Sequence, residues 1–212
     1  MFDNLKSVLV LAPHTDDGEL GMGATINKLT QAGVRVYYAA LSFCEESVPP
    51  GFEKDALKYE CEAAVSTLGI RSEDLFIFGH KVRNFNLTRQ VILDDLIHLR
   101  EKIKPDLVFM PSLGDLHQDH SVLSAEALRA FKAYCLLGYE LTWNNLNFNA
   151  ACFVNISEDN ISKKIQALAE YKTQSGREYV SSEFVRAQAL TRGVQIGVKY
   201  AECFEVVRWV IK

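Results

Sequence analysis

Residues 8–19 of the 212-residue chain read VLVLAPHTDDGE, and this stretch joins a run of five apolar residues to a short polar segment. A continuous apolar run of that length, broken at Pro13, predicts a buried β-strand. The residues from about 19 to 32 then place apolar side chains at helical spacing, and Gly33 is a typical residue just after a helix end. The stretch therefore predicts a strand, a polar loop and a helix in succession.

The same alternation of strand and helix continues along most of the chain. Further strands are predicted at 34–41, 75–78, 107–110, 151–156 and 203–211, and further helices near 53–68, 87–103, 119–134, 158–172 and 181–190. Such alternation indicates an α/β protein with a mostly parallel sheet and helices on both faces. Because no linker, repeat or low-complexity tract interrupts it, residues 1–212 are expected to form one domain.

Composition and charge exclude several classes of protein. The chain has 23 Lys and Arg against 27 Asp and Glu, a net charge of −4, and no long basic run, which argues against binding nucleic acid or an anionic membrane. Its five cysteines are scattered and form no C-x-x-C pair, as expected for reduced thiols. Residues 1–6 are polar and no apolar run reaches the length of a membrane span, so we expect a cytoplasmic protein.

Two polar clusters follow two of the predicted strands. Residues 12–19 come directly after the first strand, and residues 115–120 (DLHQDH) come a few positions after the strand at 107–110. Ligands of open parallel sheets bind beyond the carboxyl ends of the strands. If these two strands are neighbours, as in the usual doubly wound order, both clusters open into one crevice.

The spacing within each cluster is typical of a metal site. His14 and Asp17 are three residues apart, as are His117 and His120, and residues three apart share one face of a turn or helix. Imidazoles with a carboxylate and one open position suit catalytic zinc, and a further carboxylate can deprotonate the water. Because Asp16 and Asp17 are adjacent, one is expected to be a ligand and the other the base. Taken singly, the motifs have simpler explanations, an Asp-Asp helix N-cap and two surface or core histidines.

These motifs carry a resemblance to a known family. A strand ending in APHTDDGELG, followed about 100 residues later by PSLGDLHQDH, resembles the PIG-L (LmbE-like) de-N-acetylases. The stretches VRNF (82–85), KPDLVF (104–109), YKTQS (171–175) and YAE (200–202) are similar to one bacterial branch of it. The chain departs from the family at Thr15, where proline is common. The resemblance implies a Rossmann-like fold and a hydrolase that removes an N-acetyl group.

The resemblance also implies how the metal and the base are arranged. His14, Asp17 and His120 match the metal ligands of the family, and Asp16 matches its general base. The implied metal is Zn²⁺, with Fe²⁺ or another divalent cation as the alternative. The implied substrate is a small N-acetylated sugar or sugar conjugate, which would yield acetate and the free amine.

Two more residues of the second motif have implied roles. His117 matches the residue that stabilises the tetrahedral oxyanion or protonates the leaving amine, and Asp119 is expected to support His117. For contacts to the rest of the substrate, the candidates are the arginines at positions 83, 89, 177 and 192. Of these we favour Arg83 and Arg192, because both fall in predicted loops, where a guanidinium can reach a phosphate or a hydroxyl.

Other functions are compatible with the same motifs. A mononuclear amidase or phosphoesterase uses the same kinds of ligand, and two histidines with one carboxylate also suit a non-haem iron oxygenase. A non-catalytic sugar-binding relative would keep the fold, although it would normally lack Asp16. A nucleotide cofactor is not expected, because Ile26 stands at the third glycine position of G-x-G-x-x-G. The sequence predicts no particular oligomeric state.

Overall fold

The computed structural model describes residues 5–211. Residues 1–4, which belong to the polar start considered above, and residue 212 lie outside the described residues. The strands are β1 (Ser7–Ala12), β2 (Arg35–Ala40), β3 (Leu75–Ile77), β4 (Leu107–Pro111), β5 (Cys135–Tyr139), β6 (Cys152–Ile156) and β7 (Tyr200–Arg208). The helices are α1 (Asp17–Gln31), α2 (Ala56–Thr67), α3 (Arg89–Ile103), α4 (Gln118–Ala130), α5 (Glu158–Leu168) and α6 (Ser182–Val194).

The strands form one mostly parallel sheet. Within residues 5–211 it has seven strands in the order β3-β2-β1-β4-β5-β7-β6. The first five strands of that order run parallel, and β7 runs antiparallel to both of its neighbours. Strands β1 and β4 pair directly, with Val8 opposite Leu107, so the adjacency assumed from the sequence is confirmed. The loops that follow these two strands therefore open at the same edge of the sheet.

Helices cover both faces of the sheet, as predicted. Alternate residues of β1 point to opposite faces: Val8 and Val10 pack in the core beneath α1, α2, α5 and α6, whereas Leu9 and Leu11 pack in the core beneath α3 and α4. Burial on both faces explains why β1 is a continuous apolar run instead of an alternating one. The protein is a single α/β domain with the Rossmann-like arrangement that the sequence predicted.

The structure contains one strand that the sequence analysis missed. Strand β5 is only five residues long, includes Gly138 and follows α4 closely, whereas the predicted helix was extended to residue 134. Gly138 is required by packing, because an added Cβ would lie 3.0 Å from Cα of Ser112. A short strand with a central glycine gives little signal in the sequence. In the sheet, however, β5 lies between β4 and β7 and is an interior strand.

Helix α1 is broken one turn after its start. Met22 has φ −151° and ψ 24°, outside the helical region, so residues 17–21 form a separate first turn. The break frees backbone groups that a buried ion pair then satisfies. Nζ of Lys164 donates to the carbonyl oxygen of Leu20 (2.7 Å), and the carboxylate of Glu202 accepts from the backbone N–H of Thr25 (2.6 Å). Lys164 and Glu202 also contact each other at 2.7 Å, so α5 and β7 together stabilise the two sides of the break in α1.

Two further predictions concern the whole chain. Each of the five cysteines lies within the described residues and is a free thiol. Among residues 5–211, no helix combines the length and apolar character needed to span a bilayer.

Candidate active site

The two polar clusters meet at the carboxyl edge of the sheet and line one cavity of about 320 Å³. The loop between β1 and α1 contributes His14 and the aspartate pair, and the start of α4 contributes His117 and His120. The rest of the wall comes from loops distant in sequence, including Arg83 and the segment that contains Arg177. The predicted crevice is therefore present, with the chemically reactive side chains at its base.

Three atoms at the base of the cavity form a nearly equilateral triangle. Nδ1 of His14 lies 3.1 Å from Oδ2 of Asp17, and Nε2 of His120 lies 3.3 Å from the same oxygen and 3.2 Å from Nδ1 of His14. Two ligands of a tetrahedral metal ion, each 2.0–2.1 Å from it, are about 3.3–3.4 Å apart. The triangle has these dimensions, and nitrogen, nitrogen and carboxylate oxygen are ligands that zinc accepts. The donor set therefore fits a divalent metal ion.

The outer nitrogen of each histidine in the triangle donates to a carboxylate. Nε2 of His14 donates to Oδ2 of Asp119 at 3.1 Å, and Nδ1 of His120 donates to Oδ2 of Asp115 at 2.7 Å. These bonds place the hydrogen on the outer nitrogen and leave the inner nitrogen free to bind a metal. Asp17 is itself held by the backbone N–H of His14, which donates to Oδ2 at 2.8 Å.

The position of Asp119 corrects one expectation. Its carboxylate contacts His14, whereas we expected it to support the side chain of His117. The reason is geometric: Asp119 lies in the first turn of α4, and its oxygens also accept from the backbone N–H groups of Arg83 (2.6 Å) and Phe85 (3.3 Å), which turn them away from His117. Only the backbone N–H of Asp119 reaches His117, where it donates to Nδ1 at 3.2 Å.

Asp115 was missed as a functional residue by the sequence analysis. It belongs to the second polar cluster and is 4% exposed, which is unusual for an aspartate unless it is paired. Its signal in the sequence was its spacing, because it lies five residues before His120 in a segment already rich in metal-ligand residues. The structure shows that its Oδ2 accepts from His120, and its Oδ1 accepts from the backbone N–H of His117 at 2.9 Å.

Asp16 stands at the N-cap position of α1 but does not act as a cap. No cap hydrogen bond from its side chain is present among the described residues, and the residue lines the cavity instead. Burial and the negative charge of Asp17 raise the pKa of Asp16 to about 6, against the opposing charges of His14 and Arg177. The simpler N-cap explanation of the Asp-Asp pair is thus not realised. A carboxylate with a pKa near neutrality suits proton transfer at physiological pH.

The three residues of the triangle share a strong electrostatic coupling. Burial lowers the pKa of His14, but the charge of Asp17 and hydrogen bonds to Asp119 and Asp17 outweigh it and raise the pKa to about 9. Burial also lowers the pKa of His120, and Asp17 with Asp115 raises it to about 10. Burial raises the pKa of Asp17, yet the two histidines hold it well below its usual value. The protons on the two histidines now offset the negative charge of Asp17, and a divalent cation would replace those protons when it binds.

His117 lies beside the triangle. Its ring nitrogens come within 4.8 Å of those of His14 and His120, so the three histidines form an alternative ligand set. Because Nδ1 of His117 accepts from a backbone N–H, the hydrogen of the neutral ring lies on Nε2. Burial and the two neighbouring histidines lower the pKa of His117, which favours this neutral form. The ring therefore offers an N–H donor next to the triangle.

A buried network supports the loop from behind. The hydroxyls of Tyr38 and Tyr171 both donate to the carbonyl oxygen of Thr15, at 3.0 and 2.7 Å, and both contact the carboxyl group of Glu19. Burial raises the pKa of Glu19 to about 8. Gly18 is required here, since an added Cβ would lie 2.5 Å from the ring of Tyr38. The loop geometry is thus set by contacts to the backbone of Thr15 and to Glu19, which accounts for the tolerance of threonine at position 15.

The structure separates the two arginines favoured by the sequence. Arg83 lines the cavity, and its guanidinium donates to Oγ of Ser47 at 3.1 Å. Arg192 lies in the last turn of α6, not in a loop, and its guanidinium pairs with Glu140 beside a separate, small cavity. Its placement in a loop was therefore wrong. Arg177, which sequence reasoning did not favour, lines the main cavity.

Comparisons with known proteins identify the family to which the chain is similar. Residues 9–131 match the PIG-L family, described as GlcNAc-PI de-N-acetylase. An uncharacterised deacetylase of Escherichia coli, YaiS, is 25% identical over 174 residues, which cover 79% of this chain and 91% of that protein. A probable N-acetyl-α-D-glucosaminyl L-malate deacetylase of Bacillus cereus is 29% identical over 139 residues, which cover 59% of this chain and 60% of that protein.

A solved structure has the same fold. The N,N′-diacetylchitobiose deacetylase of Pyrococcus horikoshii superposes with a TM-score of 0.81 at 23% identity, covering 96% of this chain and 84% of that one. The matched residues 9–131 span more than half of the chain and contain both polar clusters, from His14 to His120. Together with the fold and the arrangement of these side chains, they show that the chain is a member of the PIG-L family of de-N-acetylases.

Proposed function

We propose that this protein is a zinc-dependent or other divalent-metal-dependent hydrolase that removes the acetyl group from an N-acetylated amino sugar or its glycoconjugate. One observation carries the proposal: the triangle of His14 Nδ1, Asp17 Oδ2 and His120 Nε2 has the dimensions of a metal site, and the uncapped carboxylate of Asp16 lies in the same cavity. Deacetylases of N-acetylated sugars among the relatives support the choice of substrate class.

In this proposal His14, Asp17 and His120 hold the metal ion. When bound, the ion supplies a positive charge that polarises the acetyl carbonyl group and makes a water molecule more acidic. Asp119 and Asp115 keep the histidines in the tautomer that binds the metal, through the hydrogen bonds at 3.1 and 2.7 Å. Much of the remaining cavity wall comes from loops, with Leu20 of α1 and Leu57 of α2 completing it.

Asp16 is proposed as the general base. It accepts a proton from the attacking water as the new C–O bond forms at the acetyl carbon. Its pKa of about 6 leaves it ionised near neutral pH and still basic enough to take the proton. The neighbouring Asp17 cannot take this role, because its Oδ2 is already shared by His14 and His120.

His117 is proposed to stabilise the tetrahedral oxyanion. Its Nε2–H faces the developing negative charge, since Nδ1 is occupied by the backbone N–H of Asp119. As the C–N bond breaks, the proton that Asp16 took from the water passes to the leaving amine, and Asp16 returns to its ionised form. The products are acetate and the free amino sugar, so atoms and charge balance.

The rival functions are less well supported by the geometry. A two-metal phosphoesterase needs further ligands beside the triangle, but the carboxylates of Asp115 and Asp119 are directed at the outer nitrogens of the histidines instead. The same three-atom set would suit iron, and a mononuclear amidase would use it unchanged.

We propose the cytoplasm as the location of the protein and Arg83 and Arg177 as substrate contacts. Arg192 is left out because Glu140 already binds it.

The decisive experiment measures metal content and acetate release together. The purified protein, loaded with Zn²⁺ or Fe²⁺ in separate samples, is incubated with N-acetylglucosamine, N,N′-diacetylchitobiose and nucleotide- or lipid-linked N-acetylated sugars. We expect about one metal ion per chain and acetate release from at least one sugar. Metal binding without acetate release from any of them, together with phosphate release from a phosphoester, would replace the proposal by a phosphoesterase.

A further inference from the structure

Two arginines of the catalytic cavity have no negatively charged partner in the described chain. Most arginines of this protein pair with a carboxylate, as Arg192 does with Glu140. Within residues 5–211, neither Arg83 nor Arg177 has a carboxylate at salt-bridge distance. Both are exposed to solvent and both line the cavity. Two unpaired positive charges therefore stand on the wall of one cavity.

Each of these guanidinium groups contacts another residue of the cavity wall. The guanidinium of Arg83 donates to Oγ of Ser47 at 3.1 Å, and that of Arg177 donates to the hydroxyl of Tyr179. Burial raises the pKa of Asp16, and the charge of Arg177 opposes that rise, so this guanidinium lies within electrostatic reach of the cavity base. Both charges are therefore placed where a bound substrate would meet them.

The negative charges of the cavity are already engaged. The carboxylates in its wall are those of Asp16 and Asp17. Oδ2 of Asp17 is shared by His14 and His120, where the metal ion is proposed, and Asp16 is proposed to take the proton from water. Neither aspartate can pair with an arginine without leaving that role. The charges of the two arginines therefore remain to be balanced by the substrate.

The backbone of Arg83 gives a second, independent observation. Residues 81–84 form a turn in which the N–H of Asn84 donates to the carbonyl oxygen of Lys81 at 3.1 Å. Arg83 is the third residue of this turn and has φ +65°, a conformation that favours glycine. Its backbone N–H donates to Asp119 at 2.6 Å, a bond that glycine would make equally well. A strained arginine on the wall of a cavity indicates a role for its guanidinium.

We propose that Arg83 and Arg177 bind one negatively charged group of the substrate, so that the preferred substrate is an N-acetylated sugar whose attached group carries a phosphate or a carboxylate. This inference rests on the proposed function and names the substrate class within it. Guanidinium groups bind both kinds of oxyanion through charge-assisted hydrogen bonds. Oγ of Ser47 accepts from Arg83 and keeps its own hydrogen, which can be donated to the same anion.

The test compares substrates that differ in charge and little else. Acetate release by the metal-loaded protein is measured for the carboxymethyl glycoside of N-acetylglucosamine and for its uncharged amide, the carbamoylmethyl glycoside. N-acetylglucosamine 1-phosphate and the methyl glycoside form a second pair. In at least one pair, kcat/KM should be about tenfold to a hundredfold higher for the anion, as expected for hydrogen bonds between charged groups. The pair with the larger ratio identifies the anion as carboxylate or phosphate.

Substitutions assign this preference to the two arginines. Arg83→Met and Arg177→Met should each lower the ratio, and in the double variant it should fall below about threefold. Arg83→Lys keeps the charge without the planar fork and should retain part of the preference. Arg208→Met is the matched control, because Arg208 donates to the carbonyl oxygen of Lys132 at 3.1 Å and does not line the cavity. It should keep the full ratio.

Arg83→Gly separates substrate binding from support of the fold. Glycine relieves the strain of the turn, so the melting temperature of the free protein should rise by about 2–4 °C while the preference for the anion declines. Arg83→Ala keeps the strain and should show the same decline without the rise. A lower melting temperature in Arg83→Gly, with the preference retained, would show that the side chain supports the fold and binds no anion.

The remaining outcomes distinguish this inference from the proposed function. Equal kcat/KM for both members of each pair, or a ratio that neither Arg83→Met nor Arg177→Met changes, would overturn the inference and leave the proposed function intact. If the metal-loaded, unsubstituted protein releases acetate from no N-acetylated sugar, charged or uncharged, the proposed function falls and the inference falls with it.

Discussion

Oδ2 of Asp119 lies 3.1 Å from Nε2 of His14, on the side of the ring opposite the nitrogen that faces Asp17 and His120. The carboxylate of Asp119 therefore contacts a histidine that we propose as a metal ligand, whereas the sequence had suggested His117, two positions away, as its partner. In the proposed mechanism, Asp119 of the H-x-D-H motif thus supports metal binding by His14 and leaves the side chain of His117 for the oxyanion.

A first prediction follows for Asp119→Asn. The amide can still bond to a ring nitrogen but no longer provides the negative charge that holds the hydrogen on Nε2 of His14. We expect the affinity for Zn²⁺ to fall by about 10-fold to 100-fold, measured by competition with a chelator. Asp94→Asn on the exposed face of α3 is the matched control and should change nothing. A normal affinity for zinc with only kcat lowered would mean that Asp119 acts on His117 after all.

A second prediction separates the two adjacent aspartates. Asp16→Asn should bind zinc normally, while kcat falls by about 10²–10⁴, the usual contribution of a positioned general base. Asp17→Asn should instead lose zinc, because Oδ2 of Asp17 is one of the three atoms of the triangle. Added zinc should partly restore the activity of Asp17→Asn and not that of Asp16→Asn. The reverse pattern of rescue would exchange the two roles.

The third prediction concerns competition between protons and metal. In the metal-free protein His14 and His120 have pKa values raised to about 9 and about 10, so both are protonated at neutral pH. A metal ion must displace these protons, and its affinity should therefore rise with pH up to about 10 and fall as the pH is lowered. Calorimetric titration with Zn²⁺ in buffers of different ionisation enthalpy gives the number of protons released. Release of no protons at pH 7 would contradict the expected charge state.

Substrate contacts give the fourth prediction. Arg83→Ala should raise KM on the true substrate more than it lowers kcat, as expected for a contact made equally in the ground state and the transition state. Arg192→Ala is the comparison, because its guanidinium is bound to Glu140 and does not line the catalytic cavity. It should leave KM unchanged and lower the stability. A raised KM in Arg192→Ala with Arg83→Ala unaffected would reverse this assignment.

The broken helix gives the fifth prediction. Lys164→Met leaves the buried carboxylate of Glu202 without its partner and the carbonyl of Leu20 without its donor. We expect the free energy of unfolding to fall by about 3–5 kcal/mol in urea denaturation. The double variant Lys164→Met/Glu202→Gln should lose less than the sum of the single changes. Lys163→Met, on the same helix but bonded to exposed Gln166, should lose little.

Much of the fold could be predicted because its strands are buried on both faces. The apolar run of β1 and the polar residues directly after it identify a central parallel strand and a site at its carboxyl end. Strand β5 could not be predicted in the same way, since Gly138 and its short length remove the usual signal. The break at Met22 also lacks a local signal, because the residues that stabilise it, Lys164 and Glu202, are about 140 and 180 positions away.

In the site, too, some features could be predicted from the sequence and others could not. The residues of the triangle could be named because spacing within each cluster gave the candidate ligands and the family resemblance implied which three of them hold the metal. The partners of those residues could not, because hydrogen bonds such as that of Asp119 to His14 depend on how two loops are turned.

The broken helix also determines when during synthesis the active site can exist. Every proposed metal-binding and proton-transferring residue is made by residue 120, but the break in α1 is stabilised by side chains at positions 164 and 202. A nascent chain that has emerged only as far as α4 carries all of the chemistry and lacks the anchors. After residue 120, a ribosome must add about 80 more residues before Glu202 of β7 can accept from the backbone N–H of Thr25 and stabilise the break next to the catalytic loop.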